Sequence, residues 1–492
     1  MATTEYAQGH RSLSAWVEAA GITAAVLLLR LAPMLLSRWY DPDEAAIAVQ
    51  AIAMKRGATL YVDMADRKPP LPPLLYEMSF RLTNSYDIRP LRLLVALMLA
   101  AATIVLVREV RRTHGEMLAR WTGGLFVMSV LAFAPIDAGA ANYAHFALPF
   151  ATVALVYSRR PGWRWTTLGG VMLGLAILSR QSWIFAVPAA AFSVYRAAGS
   201  DMRRRLPAVA VFAGSCTASV ASCAFFVPLK EFWYWNFASS PGFVFASLGI
   251  GAVLAKGGAA TGLFIARHIA LVGAWAVGAK RSLRTDIDLW VWLGTGIVAI
   301  SAGFRFYGHY WMQIVPPLTL LAAPVLASAS KKWQQLAVAA LAVVGVMSWT
   351  LLFTPSVFRD RINAQPIAAY IREHSKPTDR LFVWGTFPEL LVESNRPIAG
   401  RLVHSDFVTG RSGGRDDPSK TLAKAEQKPL EMMMSDLQAN PPELIVDTSG
   451  VASLGYHNYS MSVIPRLQQF VTANYAIEID IQGFIVLRLR QE

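Results

Sequence analysis

Apolar stretches long enough to cross a lipid bilayer recur along this 492-residue chain. A transmembrane helix needs about 17 to 25 such residues. Stretches of that kind lie near 17–36, 91–107, 117–135, 140–158, 164–180, 182–197, 206–228, 262–279, 288–304, 310–328 and 333–354, with a doubtful Gly-rich stretch at 246–261. Because 54% of the residues are hydrophobic and only 16% charged, the sequence predicts a polytopic α-helical membrane protein with about 11 to 13 transmembrane helices.

Lysine and arginine cluster in alternate loops, such as "REVRRTHGEMLAR", "YRAAGSDMRRRL" and "SKKW". Cytoplasmic loops carry this excess of cations, so the pattern predicts a cytoplasmic N-terminus and a multi-pass protein of the plasma or inner membrane. The first apolar stretch is too long for a signal-peptide core and is interpreted as a retained anchor. The same loops explain the net charge of +14, so the sequence does not indicate nucleic-acid binding.

The chain changes character near residue 355. Residues 1–355 form the predicted transmembrane module, with a first outer loop at 37–90, and residues 356–492 form a predicted small extracytoplasmic α/β domain. Its strands are "RLFVWG", "PPELIVDTSG" and "GFIVLRLR", its helices "IAAYIREHS" and "TLAKAEQKPLEMMMSDLQ". The Gly-rich "RSGGRDDPSK" is expected to be a mobile loop. Cys216 and Cys223, two helical turns apart, are too distant for a disulfide.

The first outer loop opens with "DPDE", three carboxylates directly after an apolar stretch. Asp41 suits the N-cap of a helix, Pro42 its first position, Glu44 a capping box and Gly57 its end. Asp43 then has no capping duty of its own and is the carboxylate left for chemistry. The helix repeats apolar residues at helical spacing, which predicts that it lies along the outer membrane surface.

Cations on the same predicted face could hold an anion. Lys68, in "DRKPPLPPLLY", precedes prolines that can start a helix, where a phosphate is readily bound; a snorkelling lysine or a polyproline segment explains it equally well. The candidates at outer span ends are Arg180 in "ILSRQSW" and Arg305, His309 and Tyr310 in "GFRFYGHYW", although Tyr310 also fits an aromatic membrane belt.

One acid among several cations suits the displacement of a phosphate leaving group by a hydroxyl. The acid acts as base and the cations stabilise the phosphate. A glycosidase needs a second carboxyl as acid, whereas phosphate leaves as a stable anion. The chain has no phosphate-binding GxxxxGK loop, GxSxG elbow, HExxH or CxxC motif.

Three segments carry a resemblance: "YDPDEAAIAVQAIAMKRGATLYVDMADRKPPLPPLLY", "GLAILSRQSW" and "RFYGHYWMQIVPPLTLLAAP". They resemble the GT-C glycosyltransferases of the protein O-mannosyltransferase and lipid A aminoarabinose transferase type, a group similar to glycosyltransferase family 39. The resemblance implies a GT-C fold and inverting transfer of a sugar from a polyprenyl-phosphate carrier to an extracytoplasmic glycan, lipid or protein acceptor.

The resemblance also implies roles for residues. Asp43 matches the family's base and Lys68 the lysine associated with the carrier phosphate, while Arg305 and His309 fall in a similar later loop. This chain has Arg67 directly before Lys68, with Asp66 one step earlier, where some relatives place the acid. Asp66 and Glu44 are further candidates for binding the carrier phosphate or substrate. In the second outer loop, "IDAGAANYAHF" leaves Asp137 and His145 as uncertain candidates, alongside Asp41.

Two interpretations from other classes stay open. A lipid or sugar transporter or flippase would also have many spans, but should place ionisable residues at the bilayer midplane or show paired broken helices. A cell-envelope assembly scaffold would use the outer domain for binding and the spans as an anchor. No cofactor is indicated; a divalent metal is conceivable, but scattered acids and histidines do not make a metal site.

Overall fold

The computed structural model describes residues 2–37, 39–239, 250–354, 364–411, 417–422, 425, 427–451 and 453–491. Most are helical. The helices before residue 355 are α1 Ala2–Leu29, α2 Leu31–Leu35, α3 Pro42–Lys55, α4 Leu71–Thr83, α5 Arg89–His114, α6 Glu116–Leu131, α7 Pro135–Ala138, α8 Tyr143–Ser158, α9 Trp163–Ser179, α10 Val187–Ala197, α11 Met202–Ala221, α12 Leu229–Trp233, α13 Ile250–Arg267, α14 Ile269–Thr285, α15 Ile287–Ser301, α16 Val315–Ser328 and α17 Lys331–Phe353.

Within the described part of the chain, six helical segments are long and apolar enough to cross a membrane. They are Arg89–His114, Met202–Phe225, Ile250–Arg267, Ile287–Phe304, Gly308–Ser328 and Lys331–Phe353, and Ala15–Leu29 and Tyr143–Ser158 are shorter apolar helices. The predicted stretch 17–36 is interrupted at Arg30, between α1 and α2. The stretch 182–197 begins as a 3-10 turn, Gln181–Ala186, before α10.

The doubtful Gly-rich stretch proves to be helical where it is described, because α13 starts at Ile250. Residues 246–249 of that stretch lie outside the described residues. The predicted span 262–279 straddles the junction of α13 and α14. His268 N–H donates to Phe264 O and Val272 N–H to His268 O, each at 2.9 Å. His268, which has non-helical backbone angles, therefore joins the two helices through one hydrogen bond to each.

Helix α3 is not a surface helix, contrary to the sequence expectation. Its predicted apolar face, Ile47, Ala48, Ala51 and Ile52, packs into a core shared with α4, α5 and α8. The opposite face is covered as well, since Ala46, Val49 and Met54 join the core of the C-terminal domain. The helix that carries "DPDE" is therefore held between helices α4, α5 and α8 on one side and the C-terminal domain on the other.

The C-terminal domain is built around one four-stranded sheet. Its strands are β1 Leu381–Trp384, β2 Leu444–Asp447, β3 Tyr475–Ile481 and β4 Phe484–Leu489, in the order β1-β2-β4-β3. Strands β1 and β2 are parallel and the other pairs antiparallel. The domain's helices are α18 Gln365–Glu373, α19 Pro388–Ser394, α20 Asp406–Thr409, α21 Pro418–Thr421, α22 Gln427–Ala439 and α23 Pro465–Asn474.

Two predictions for this domain change. The sequence analysis did not assign β3, which pairs with β4 across a tight hairpin whose turn residues Gln482 and Gly483 both have positive φ, as type I′ turns require. The single predicted helix "TLAKAEQKPLEMMMSDLQ" is divided between the end of α21 and α22. The predicted mobile loop spans 411–420; residues 412–416 of it lie outside the described residues, and its last three residues are helical, in α21.

The first outer loop and the C-terminal domain are joined by direct contacts. Ala65 N–H donates to Arg401 O at 2.8 Å, forming a parallel bridge between the two segments. Next to it, the Arg67 guanidinium lies 4.2 Å from the centre of the Phe407 ring. The segment leading to Lys68 is therefore held by the outer domain.

Candidate active site

Asp43 lies in the first turn of α3 and points toward Lys68. Asp41 is the N-cap, as predicted, and its Oδ1 accepts a hydrogen bond from Asp43 N–H at 3.0 Å. Its other oxygen accepts one from Asn142 Nδ2 at 2.7 Å. Asp41 is thus fixed and buried, whereas the Asp43 side chain retains 28% of its exposure. The predicted end of the helix is also found, since Gly57 follows its C-cap with φ 102°.

Asp43 pairs with Lys68. Asp43 Oδ1 lies 2.7 Å from Lys68 Nζ, and the Lys68 side chain is 34% exposed. Burial by itself raises the pKa of Asp43, but the Lys68 ammonium, with His309 and His404 nearby, lowers it to about 2. Burial likewise opposes the charge of Lys68, and the carboxylates of Asp43 and Asp66 hold the pKa of Lys68 above its ordinary value. Both groups are therefore ionised at neutral pH.

Glu44 has a different environment from its neighbour. Its oxygens accept bonds from Arg92 Nε at 2.8 Å and Nη2 at 2.6 Å, and from Ala141 N–H at 2.8 Å. Glu44 and Arg92 are both fully buried. The predicted capping box is wrong, because the closest backbone donor at the helix start is Tyr40 N–H, at 3.4 Å, rather than the N-cap. The structure gives Glu44 no open face for substrate.

Asp66 and Tyr143 line the site beside Lys68. Asp66 Oδ2 accepts bonds from Gln50 Nε2 at 2.7 Å and from the Tyr143 hydroxyl at 2.5 Å. The Lys68 ammonium lies 4.6 Å from the centre of the Tyr143 ring. Lys68 is therefore in contact with a tyrosine ring whose hydroxyl is held by Asp66.

The opposite wall comes from the later outer loops. Arg180 is buried, donates to Ser182 Oγ at 3.1 Å and stacks 4.2 Å from the Tyr310 ring centre. Asp137 Oδ1 lies 3.0 Å from His309 Nδ1 and accepts from His309 N–H at 2.9 Å. Asp137 therefore orients His309 instead of facing the site by itself.

The remaining candidates differ in position. Arg305 is buried beside Tyr307. Burial raises the pKa of the Tyr307 hydroxyl, and the charge of Asp406 in the C-terminal domain adds to this effect. His145 is buried within α8, with Nδ1 3.3 Å from Asn142 Oδ1. The structure therefore brings together Asp43, Lys68, Asp66 and His309. Arg305 lies on the side of the C-terminal domain, and His145 lies against Asn142, which bonds to the N-cap Asp41.

His404 belongs to the site but was missed in the sequence. It lies in the segment joined to Ala65, and its Nδ1 is buried without a hydrogen-bond partner among the described residues. Burial and the Lys68 charge lower the pKa of His404. Because it is more than 300 residues from Lys68 in sequence, only the docking of the C-terminal domain brings them together. The described residues contain no group of three His, Cys, Asp or Glu side chains suited to a metal ion.

A family model described as dolichyl-phosphate-mannose-protein mannosyltransferase matches residues 67–228. Lys68, Asp137 and Arg180 lie inside the matched range, and Asp43 lies before it. The match confirms the resemblance seen in the sequence segments and covers about one third of the chain. No curated protein matches this sequence.

Solved structures share the fold over almost the whole chain. ArnT from Cupriavidus metallidurans bound to undecaprenyl phosphate is similar at a TM-score of 0.66 and 17% identity, covering 96% of this chain and 97% of that one. The oligosaccharyltransferase AglB from Archaeoglobus fulgidus matches at 0.52 and 12%, covering 98% and 75%. The arabinofuranosyltransferase AftD from Mycobacteria matches at 0.53 and 13%, covering 96% and 41%. The predicted GT-C fold is confirmed.

Proposed function

We propose that this protein is an inverting glycosyltransferase that moves a sugar from a polyprenyl-phosphate carrier to an acceptor hydroxyl on the extracytoplasmic side of the membrane. The observation that carries the proposal is the open ion pair of Asp43 and Lys68 at the end of a firmly held helix. The family model and the similarity to ArnT bound to undecaprenyl phosphate support this choice of chemistry and donor.

The transfer is a single displacement. The acceptor oxygen attacks the anomeric carbon, the new C–O bond forms as the bond to the carrier phosphate breaks, and the configuration inverts. Asp43 takes the proton of the acceptor hydroxyl. Lys68 stabilises the charge that develops on the departing phosphate, which leaves as polyprenyl phosphate.

The pair itself supplies a way to activate the base. Without donor, Lys68 keeps the pKa of Asp43 near 2, which makes Asp43 a weak base. A carrier phosphate competes with Asp43 for the ammonium, because a point cation binds phosphate well. Once Lys68 turns to the phosphate, the pKa of Asp43 rises toward its ordinary value, and the base strengthens when the donor is in place.

Arg180, His309 and Tyr310 form the wall across from Lys68 and are proposed to contact the donor. The cations of Arg180 and Lys68 then lie on the phosphate, and His309, oriented by Asp137, contacts the sugar or phosphate oxygens. His404 of the C-terminal domain lies close to the charges of Lys68 and Asp43 in the same site. The alternation of basic loops along the sequence favours an extracytoplasmic position for this face.

The test is donor consumption by membranes that contain the protein, supplied with a panel of radiolabelled polyprenyl-phosphate sugars. Wild-type protein should release sugar from one donor, and Asp43→Asn should slow release by about 10²–10⁴-fold, since it keeps shape but removes the base. The matched control is Asp87→Asn, a half-buried acid of the same loop that is paired with Arg89 outside the site.

Equal consumption by wild type and Asp43→Asn would place the base elsewhere. Consumption by neither protein over the whole panel would contradict the proposal and favour the transporter or scaffold interpretation. A flux of labelled lipid between leaflets, measured in liposomes without sugar release, would identify the transporter.

A further inference from the structure

A second cavity lies at the other end of α3. It has a volume of about 480 Å³ and is formed between the C-terminal half of α3 and the outer domain. Its residues on α3 and its C-cap run from Val49 to Arg56. At 1.5 Å per residue, the cavity starts about 9 Å and ends about 20 Å along the helix from Asp43, so it is separate from the candidate active site.

The charged residues of this α3 cavity are four arginines and two aspartates, a net charge of +2: Arg56, Arg380, Arg396, Arg401, Asp63 and Asp436. Arg401 is neutralised, since its Nε and Nη2 donate to both oxygens of Asp436 at 2.9 and 2.7 Å. The other three arginines form no ion pair within the described residues. The cavity therefore presents an excess of cationic donors.

The uncompensated arginines are held in different ways. Arg56 Nη2 donates to the amide oxygen of Asn395 at 2.9 Å. Arg396 is buried and contributes charge but no spare donor, because its Nε donates to Ser375 Oγ at 2.9 Å, its Nη1 to Ser394 O at 3.2 Å and Asn395 O at 3.5 Å, and its Nη2 to Arg372 O and Ser375 O at 2.9 and 2.8 Å. Arg380 is exposed at the rim. The exposed guanidinium groups of Arg56 and Arg380 suit a phosphate or carboxylate, which they bind through paired N–H donors.

The other walls suit more than a bare anion. Asp63, Ser435 and Asn440 offer polar side chains that can bind hydroxyl groups, and Ile52 and Ile398 provide an apolar wall. The volume falls within the range of about 300–1,000 Å³ usual for small-molecule sites. A bare phosphate would leave most of this space unfilled, whereas one or two sugar rings would use both walls.

We propose that the α3 cavity binds a saccharide that carries a phosphate or carboxylate group. Arg56 and Arg380 hold the anionic group, and the polar side chains of the wall hold the ring hydroxyls. Binding here does not depend on sugar transfer, so the proposal stands or fails separately from the catalytic role of Asp43.

Saturation-transfer NMR on the full-length protein in phosphatidylcholine nanodiscs tests this proposal. The probe is α-glucose 1-phosphate, with methyl α-glucoside as its neutral match. The measurement is made in a Lys68→Met background, so that phosphate bound at the candidate active site does not contribute. Arg56→Gln with Arg380→Gln should weaken binding at least about tenfold, because two charge-assisted hydrogen bonds are lost.

The matched control is Lys376→Gln with Arg466→Gln, which removes two exposed cations outside the cavity and should leave binding unchanged. If the double variant fails to fold, Arg380→Gln alone serves, since that side chain is exposed. Saturation transfer to glucose 1-phosphate but not to the glucoside, lost with the arginines, supports the proposal. No binding, equal binding of both probes, or binding that survives the arginine changes overturns it. Replacement of the probe by phosphatidylglycerol in the nanodisc would identify a lipid headgroup as the ligand and also overturn it.

Discussion

Two neighbouring carboxylates at the start of α3 have opposite environments. Asp43 and Lys68 form an ion pair whose side chains are 28% and 34% exposed. Glu44 and Arg92 form one that is fully buried. Both pairs have short contacts, so distance does not distinguish them; access does. The buried pair can only support the fold, while the open pair can exchange its partner for a substrate.

The supporting pair explains how an open one keeps its geometry. A buried ion pair with additional hydrogen bonds is costly to break from one side, since the remaining charge loses its partner. Arg92 also donates to Leu36 O at 2.7 Å and Pro33 O at 3.1 Å, which ties the segment before α3 to α5. The first turn of α3 is therefore rigid, and Asp43 projects from it.

The most direct test of this comparison removes the carboxylate of each pair in turn and compares the loss of transfer with the loss of stability. Asp43→Asn should cost about 10²–10⁴-fold in transfer and change the free energy of unfolding by less than about 1 kcal/mol. Glu44→Gln should destabilise the fold by about 3–5 kcal/mol, because Arg92 is left buried without its counter-ion. Transfer rates in membranes and thermal midpoints in detergent measure the two effects. If Glu44→Gln lost activity while its thermal midpoint stayed unchanged, the division of roles would be wrong.

The next effect concerns the exchange of partners. Lys68→Met should lower donor turnover by about ten- to a hundredfold, since one charge-assisted contact to phosphate is lost. At the same time the base gains strength, because the pKa of Asp43 rises when Lys68 is removed. The expected signature is an acidic limb in the pH profile of kcat/KM that the wild type lacks above pH 4. A profile of unchanged shape would show that Lys68 does not set the pKa of Asp43.

A separate effect, on stability and not on transfer, comes from Asp41. Burial, with the nearby Asp43 charge, raises the pKa of Asp41 to about 8, against about 3.9 in the unfolded chain. The folded state then retains a proton that the unfolded state loses, so this contribution to stability is complete below about pH 4 and is lost as the pH rises to about 8. Thermal midpoints from pH 5 to 8.5 should fall more steeply for wild type than for Asp41→Asn, which keeps a capping side chain. Parallel curves would contradict the raised pKa.

The smallest effect tests the contribution of the outer domain. His404→Gln should reduce transfer by about three- to tenfold, a loss of about 1 kcal/mol of contact with the substrate or with Lys68. His457→Gln, at another histidine of the same domain, is the control. An effect confined to the thermal midpoint would make His404 a structural residue.

Local signals account for what the sequence predicted well. The six long apolar helical segments of the described residues follow from runs of apolar residues, although about 11 to 13 spans were predicted, and Asp41, Pro42 and Gly57 follow from the chemistry of helix ends. Asp43 was singled out because those rules left it without a local role. The role of Glu44 could not be found in this way, because Arg92, 48 residues along the chain, outcompetes the local cap.

The sequence by itself determined that this chain is a multi-span membrane protein with an α/β domain at its end, because hydropathy and periodicity act over a few turns of helix. It also indicated Asp43 and Lys68, which belong to one loop. Only the tertiary structure decided that these two meet, that Glu44 is closed, that α3 is buried on both faces, and that His404 reaches the site. Each of those depends on contacts between segments far apart in sequence, which only packing brings together.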